Sequence, residues 1–151
     1  MKRKLAYIFA LPLLFSALGS LGACTDGPAT VGEPKEFSAV CDKANDGKRV
    51  AVDGYLRFPS VIRKDILMLR LYNEGDLRGE PLGVSADFGS QANQVEKPPK
   101  QFTDGHLKVH LAGGQVAGFG TKVRVSGEVY FPLVEQEFQC ALSNPLVEVV
   151  R

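Results

Sequence analysis

Residues 47–59 of this chain read GKRVAVDGYLRFP, and residues 120–132 read GTKVRVSGEVYFP. Aligned without a gap at an offset of 73, they share 6 of 13 residues: Gly, Val, Val, Gly, Phe and Pro. Apolar and polar residues alternate in both. Val50, Val52, Gly54, Leu56 and Phe58 fall on one side, and Arg49, Ala51, Asp53, Tyr55 and Arg57 on the other. The second copy sets Val123, Val125, Gly127, Val129 and Phe131 against Lys122, Arg124, Ser126, Glu128 and Tyr130. A period of two held over such a length predicts a β-strand with one buried face. The glycine within each apolar face packs no side chain and costs backbone entropy. It predicts a bulge or bend where a long strand serves two sides of a barrel. Gly47 and Gly120 supply the preceding turns, and Pro59 and Pro132, which cannot donate to a ladder, close the strands.

Shorter alternating runs lie between and after the copies. Leu67, Leu69 and Leu71 predict a strand over 66–72, with Met68, Arg70 and Tyr72 on its outer side, and residues 82–88 form a weaker run. Leu107, Val109 and Leu111 alternate in 106–111, and Phe138, Cys140 and Leu142 do so ahead of 147–150. Helical spacing occurs in one short segment, 36–44, ended by Asn45-Asp46-Gly47. Residues 89–105 are polar, carry Pro98-Pro99 and predict a loop. The glycine-rich stretch 112–120 predicts a hairpin turn and strand entry rather than a phosphate cradle, because no helix follows it. The expected fold is mainly all-β: a small five- to six-stranded barrel with one short N-terminal helix.

In that pattern the chain resembles the bacterial OB-fold modules, including the small tRNA-anticodon-like OB domains. The resemblance rests on DGKRVAVDGYL after a short helix, similar to the family's first strand, and on GTKVRVSGEV, similar to its fourth. It implies that these two long strands pair, so that the repeat would be two neighbours meeting one barrel geometry. Duplication of a half-domain is the competing account, although the flanking segments do not match. The family's helix between its third and fourth strands has no counterpart in 89–105, which leaves the segment around Phe37–Val40, if pinned through Cys41, to plug the barrel.

The chain opens with Lys2, Arg3 and Lys4, an apolar run to about Leu21, and small residues, the form of a secretory signal segment. Leu21-Gly22-Ala23-Cys24 resembles the lipobox of bacterial lipoproteins, in which the cysteine is lipidated and becomes the first residue of the mature chain. The expected organisation is a signal peptide at 1–23, a flexible tether at 24–35 and an OB-like barrel at 36–151. The tether reading rests on the Gly- and Pro-rich stretch TDGPATVGEP. With Cys24 taken by lipid, Cys41 and Cys140 are left as a pair, for which an oxidising compartment makes a disulfide the default. A reactive thiol is the alternative, but neither cysteine has a neighbouring His or helix start in sequence. Loss of the signal segment leaves 15 basic against 17 acidic residues, a net of −2. No overall field then favours a polyanion.

Chemistry-bearing constellations are sparse. His106 and His110, with Lys108 between them, are weak metal candidates, since a site needs three or more ligands and the lysine opposes a cation. No nucleophile-elbow, zinc-protease, paired-cysteine or phosphate-loop pattern occurs. The resemblance places binding on the outer face of the second and third barrel strands and on two loops, here residues 60–65 and 133–137. Arg70 and Tyr72, flanked by Tyr55 and Arg57, are the candidate contacts.

The leading expectation is a lipid-anchored module of the cell envelope that binds a protein, peptide or glycan, without cofactor and without catalysis. A small-ligand or metal sensor using the two histidines is the alternative, and an enzyme would need a convergent acid, base or nucleophile. Nucleic acid is not expected as a partner, given export, the absence of Trp and the charge of the mature chain. Thr25 after the cysteine favours the periplasmic face of the outer membrane in a Gram-negative envelope.

Overall fold

The computed structural model describes residues 28–63, 67–133 and 137–151. The signal segment and Cys24 lie outside the described residues, as do 64–65 and 134–136 of the two expected loops. Among the described residues there are eight strands: β1 (Glu33–Pro34), β2 (Arg49–Arg57), β3 (Leu67–Tyr72), β4 (Leu82–Ala86), β5 (Lys108–His110), β6 (Val116–Gly118), β7 (Lys122–Tyr130) and β8 (Ala141–Val149).

The two copies of the repeat are β2 and β7, and they pair antiparallel from Arg49 opposite Glu128 to Tyr55 opposite Lys122. Val52 faces Val125, its own counterpart in the repeat, while Val50 faces Gly127 and Gly54 faces Val123. The pair therefore has a local two-fold axis at Val52 and Val125, and each glycine stands opposite the other copy's valine. Both glycines also sit where chains crowd. A Cβ on Gly54 would lie 2.5 Å from the Tyr72 carbonyl oxygen, and one on Gly127 would lie 2.8 Å from Leu142 Cβ. The expected irregularity occurs at the second, where the β7–β8 register shifts between Ser126 and Glu128.

The main sheet runs β1-β2-β3-β4-β8-β7, and the β2–β7 pairing closes its last five strands into a barrel. β4 and β8 run parallel, with Gly83 opposite Ala141, and the other barrel pairs are antiparallel. Closure removes most of the free edge of those strands, and the arrangement is a small OB-like barrel. Val50, Val52, Leu56, Leu69, Val84, Val123, Val125, Val129 and Leu142 fill its interior, as alternation requires.

Three segments differ from expectation. The short helix is two separate 3-10 turns, Phe37–Ala39 and Lys43–Asn45. Burial of Val40 and a Cys41–Cys140 disulfide, with Cα atoms 5.5 Å apart, hold the chain between them too tightly for a continuous helix. The expected tether ends early, because β1 adds parallel to β2 at Val50 and Ala51 and Lys35 N–H donates to the Ala51 carbonyl at 2.9 Å. β3 reaches β2 only from Tyr55 onward, so β1 covers edge that would otherwise lie bare. Arg49 reinforces this strap. Its guanidinium donates to the carbonyl oxygens of Thr30 (2.6 Å), Ser126 (3.2 Å) and Asn144 (2.9 Å). Burial of the group pushes its pKa down from the usual arginine value.

The polar stretch 89–105 is a loop, but it contributes to the core. Val95 is fully buried and bridges to both Phe88 and Val109. Phe102 meets Phe58 edge to face at a centroid distance of 5.2 Å. The plug is thus shared between Val40 on the disulfide side and the Val95–Phe102 loop with the β5–β6 ribbon.

Candidate binding surface

The outer face of β3 and β4, where OB-type barrels take ligands, is partly covered by the described end of the chain's own β7–β8 connection, residues 137–140. The Cys140 carbonyl accepts from Gly83 N–H at 3.1 Å, which lays the end of that connection along β4. Phe138 is buried over Gly83, where an added Cβ would lie 2.7 Å from its ring. Glu137 forms an ion pair with Arg70, whose side chain is only 13% exposed and also lies 3.2 Å from Ser60 Oγ. Tyr72, expected on an open face, is 8% exposed. The alternation places Arg70 on the outer side, but the connection held by the disulfide brings Glu137 down onto it.

The other expected contacts are adjacent but engaged. Tyr55 pairs with Tyr72, and Arg57 with Arg70, across β2 and β3. The Tyr55 ring packs on Gly75 of the β3–β4 turn, and Arg57 Nε lies 2.7 Å from Asp104. The histidines do not share a strand face. His106 ends a 3-10 turn, its Nδ1 accepting from Thr103 N–H at 3.0 Å. His110 lies on β5 with Nε2 3.2 Å from Glu96 Oε1, short of hydrogen-bond alignment. Lys108 Nζ donates to the other Glu96 oxygen at 3.1 Å, and this bond first, with its charge, holds the Glu96 carboxyl below the usual carboxylate range. Among the described residues no three His, Cys, Asp or Glu side chains converge as metal ligands.

Tyr130, on the outer side of β7, lies with its hydroxyl 4.0 Å from Met68 Sδ, and burial pushes its phenol pKa up. The folded chain therefore holds this proton more tightly than the unfolded chain does. The associated stability is complete below the unfolded phenol pKa and is lost as pH rises through the higher folded value. An ultraviolet titration should show one late-ionising tyrosine. Tyr130→Phe should abolish that step and flatten the alkaline fall in stability; if it persists in the variant, the assignment is wrong.

Open concave surface lies instead around the outer side of β2 and β7. Asp53 and Arg124 are directly opposed, and Arg124 donates from Nε to Oδ1 at 2.6 Å and from Nη2 to Oδ2 at 3.1 Å. These bonds, with the Asp53 charge, raise the Arg124 pKa and fix a fork-shaped cation on a rigid strand pair. Glu148 of β8 opposes Arg124 on its other side. Two grooves meet at Arg124. One, of about 590 Å³, lies between the β5–β6 turn and the end of β8. The other, of about 570 Å³, lies between the segment after β1 and the β2–β7 face, and takes in Lys35, Phe37, Asp53, Asn73 and Lys122. Strand parity placed Asp53, Lys122 and Arg124 outward. Their convergence follows from the β2–β7 register, which alternation within one strand does not carry.

The chain matches no family model and no curated protein. Solved structures do match. One is described as an aspartyl-tRNA synthetase from Leishmania major Friedlin, with 12% identity, a TM-score of 0.46, and coverage of 93% of this chain and 23% of that one. This chain thus spans less than a quarter of that protein's length, and a likeness so remote carries no argument about function. Barrel closure and strand order define the class, an OB-like all-β domain.

Proposed function

We propose that the protein is a lipid-anchored binding module of the cell envelope, held through Cys24 and recognising a protein partner on the outer side of β2 and β7. The observation that carries the reading is the pair of grooves meeting at Arg124, on a barrel whose usual ligand face is partly covered by its own chain. The signal-like N-terminus and the Cys41–Cys140 bond support an oxidising compartment outside the cytoplasm. The net of −2 after the signal segment and the mixed charge of Asp53, Arg124 and Glu148 fit a protein partner better than a nucleic acid.

The test is photo-crosslinking of the full chain in living cells, with the reactive residue at Asn73, which lines the second groove and is exposed, and, as an off-site control, at Lys97 on the plugging loop. The expected result is a discrete protein captured from Asn73 and not from Lys97, and incorporation of labelled fatty acid into the unaltered chain but not into Cys24→Ala. Equal, diffuse capture from both positions would remove the binding-module reading. Equal fatty-acid labelling of the Cys24 variant, or none of the unaltered chain, would remove the anchor.

A further inference from the structure

Between the end of β1 and the start of the β2–β3 pairing, β2 has an unopposed residue. β1 pairs with Val50 and Ala51, and Lys35 N–H takes the Ala51 carbonyl. β3 begins opposite Tyr55. In an antiparallel ladder the main-chain groups of alternate residues point to the same edge. Ala51 and Tyr55 are satisfied on that edge, and Asp53, between them, has neither β1 nor β3 opposite it. This gap opens into the groove that also holds Lys35, Lys122, Arg124 and Asn73.

Two features of different kind therefore meet in one concavity. The gap is a short length of strand edge, and an extended peptide main chain is the complement of a strand edge. The cations are the complement of an anion, and Arg124 is the most fixed of them because Asp53 holds one side of its fork. Lys35 is less free, with Nζ 2.7 Å from Glu33, whereas Lys122 projects from the first position of β7 and is exposed. Asp53 and Glu36 also line the groove, so the place is built for one localised negative charge and not for a run of them. Phe37 gives the wall an apolar surface against which a side chain can rest.

We propose that this groove captures the C-terminal carboxylate of an extended partner peptide, with the peptide main chain meeting Asp53 at the gap and the carboxylate lying between Lys122 and Arg124. The proposal rests on the binding-module reading and specifies its partner: a protein whose free C-terminus reaches the β2–β7 face.

The experiment titrates isotope-labelled full-length protein in detergent and follows backbone amide resonances. The probes are a pool of N-acetylated tetrapeptides with free C-terminal carboxylates, the same pool with C-terminal amides, and sodium acetate. The acid pool is expected to shift the Asp53 amide, with the amide pool and acetate leaving it in place at equal concentration. Lys122→Gln and Arg124→Gln should each weaken the acid-pool effect roughly tenfold or more. Lys122 is exposed and has no ion pair among the described residues, so its variant separates lost recognition from disturbed folding. Equal shifts from acid and amide pools, equal shifts from acetate, or none at Asp53 would each overturn the proposal. A partner crosslinked at Asn73 without a carboxylate-dependent shift would overturn the carboxylate site while leaving the binding module standing. Carboxylate-dependent shifts without a captured partner would support the site and count against the module.

Discussion

Replacing Cys140 with alanine should lower the free energy of unfolding by about 2–5 kcal/mol, measured as a fall in the denaturant midpoint under non-reducing conditions. The bond joins residues 99 apart in sequence, and cross-links that close long loops remove the most entropy from the unfolded chain. It ties the turn after Val40 to the start of β8, and Cys140 is itself fully buried in the core. The fall should be matched by Cys41→Ala and by reduction of the unaltered protein. The Cys41→Ala, Cys140→Ala double variant should cost little more than either single one, because the two act through one bond. Glu137→Ala is the contrast. Its ion pair with Arg70 lies at the surface on the Glu137 side, and its loss should cost about 1 kcal/mol or less. If Glu137→Ala proves as costly as Cys140→Ala, charge rather than the disulfide is what chiefly holds the connection down.

Gly54→Ala should cost about 3 kcal/mol, the upper end of the range for overpacking, without altering the disulfide. The added carbon would meet the Tyr72 carbonyl oxygen at 2.5 Å and Leu71 Cδ1 at 2.9 Å, and a carbonyl in a paired strand cannot swing aside as a side-chain tip can. The strain should appear as weakened amide-exchange protection where β2 passes from β7 alone to β3, at Tyr55 and Tyr72. Gly47→Ala offers a calibration, since that residue has φ near +71° but nothing within 4 Å of an added Cβ. Its cost is the left-handed backbone alone, about 1–2 kcal/mol. A Gly54→Ala penalty no larger than that of Gly47→Ala would show that β3 yields easily and that close approach is not why Gly54 is glycine.

The barrel was legible because its signals are local. Val50 to Phe58 and Val123 to Val129 carry their buried face in their own alternation, and their likeness to each other marks them as strands of similar environment. β1 was not legible. A stretch with Gly32 and Pro34 reads as a tether, and it is ordered by a guanidinium 19 residues away reaching Thr30. The same limit governs the binding surface. Parity along β3 showed which way Arg70 points, but whether that side is open depends on where Phe138 and Glu137 come to rest, and this is set by a bond between distant cysteines. Asp53 and Arg124 looked like ordinary solvated strand residues, each unremarkable until the register sets one against the other.

That register also bears on how the chain avoids assembling wrongly. Because Val52 faces its own counterpart, the apolar side of either copy is self-complementary. Two β2 segments from different molecules, crossing at Val52, would again set each glycine opposite a valine, and so would two β7 segments crossing at Val125. Hydrophobic packing alone therefore discriminates poorly between the proper partner and a twin from another molecule. The polar side of β2 does discriminate. In the native pairing Asp53 faces Arg124 and Arg49 faces Glu128, whereas a β2 twin would set Asp53 against Ala51 and Arg49 against Tyr55, with no ion pair; a β7 twin would instead set Lys122 against Glu128 and keep opposite charges together. The charges on the outward side of β2 thus act as a proofreading code for strand exchange, disfavouring the β2 twin that the valines and glycines would accept, while β7 depends on being already covered by β2 and β8.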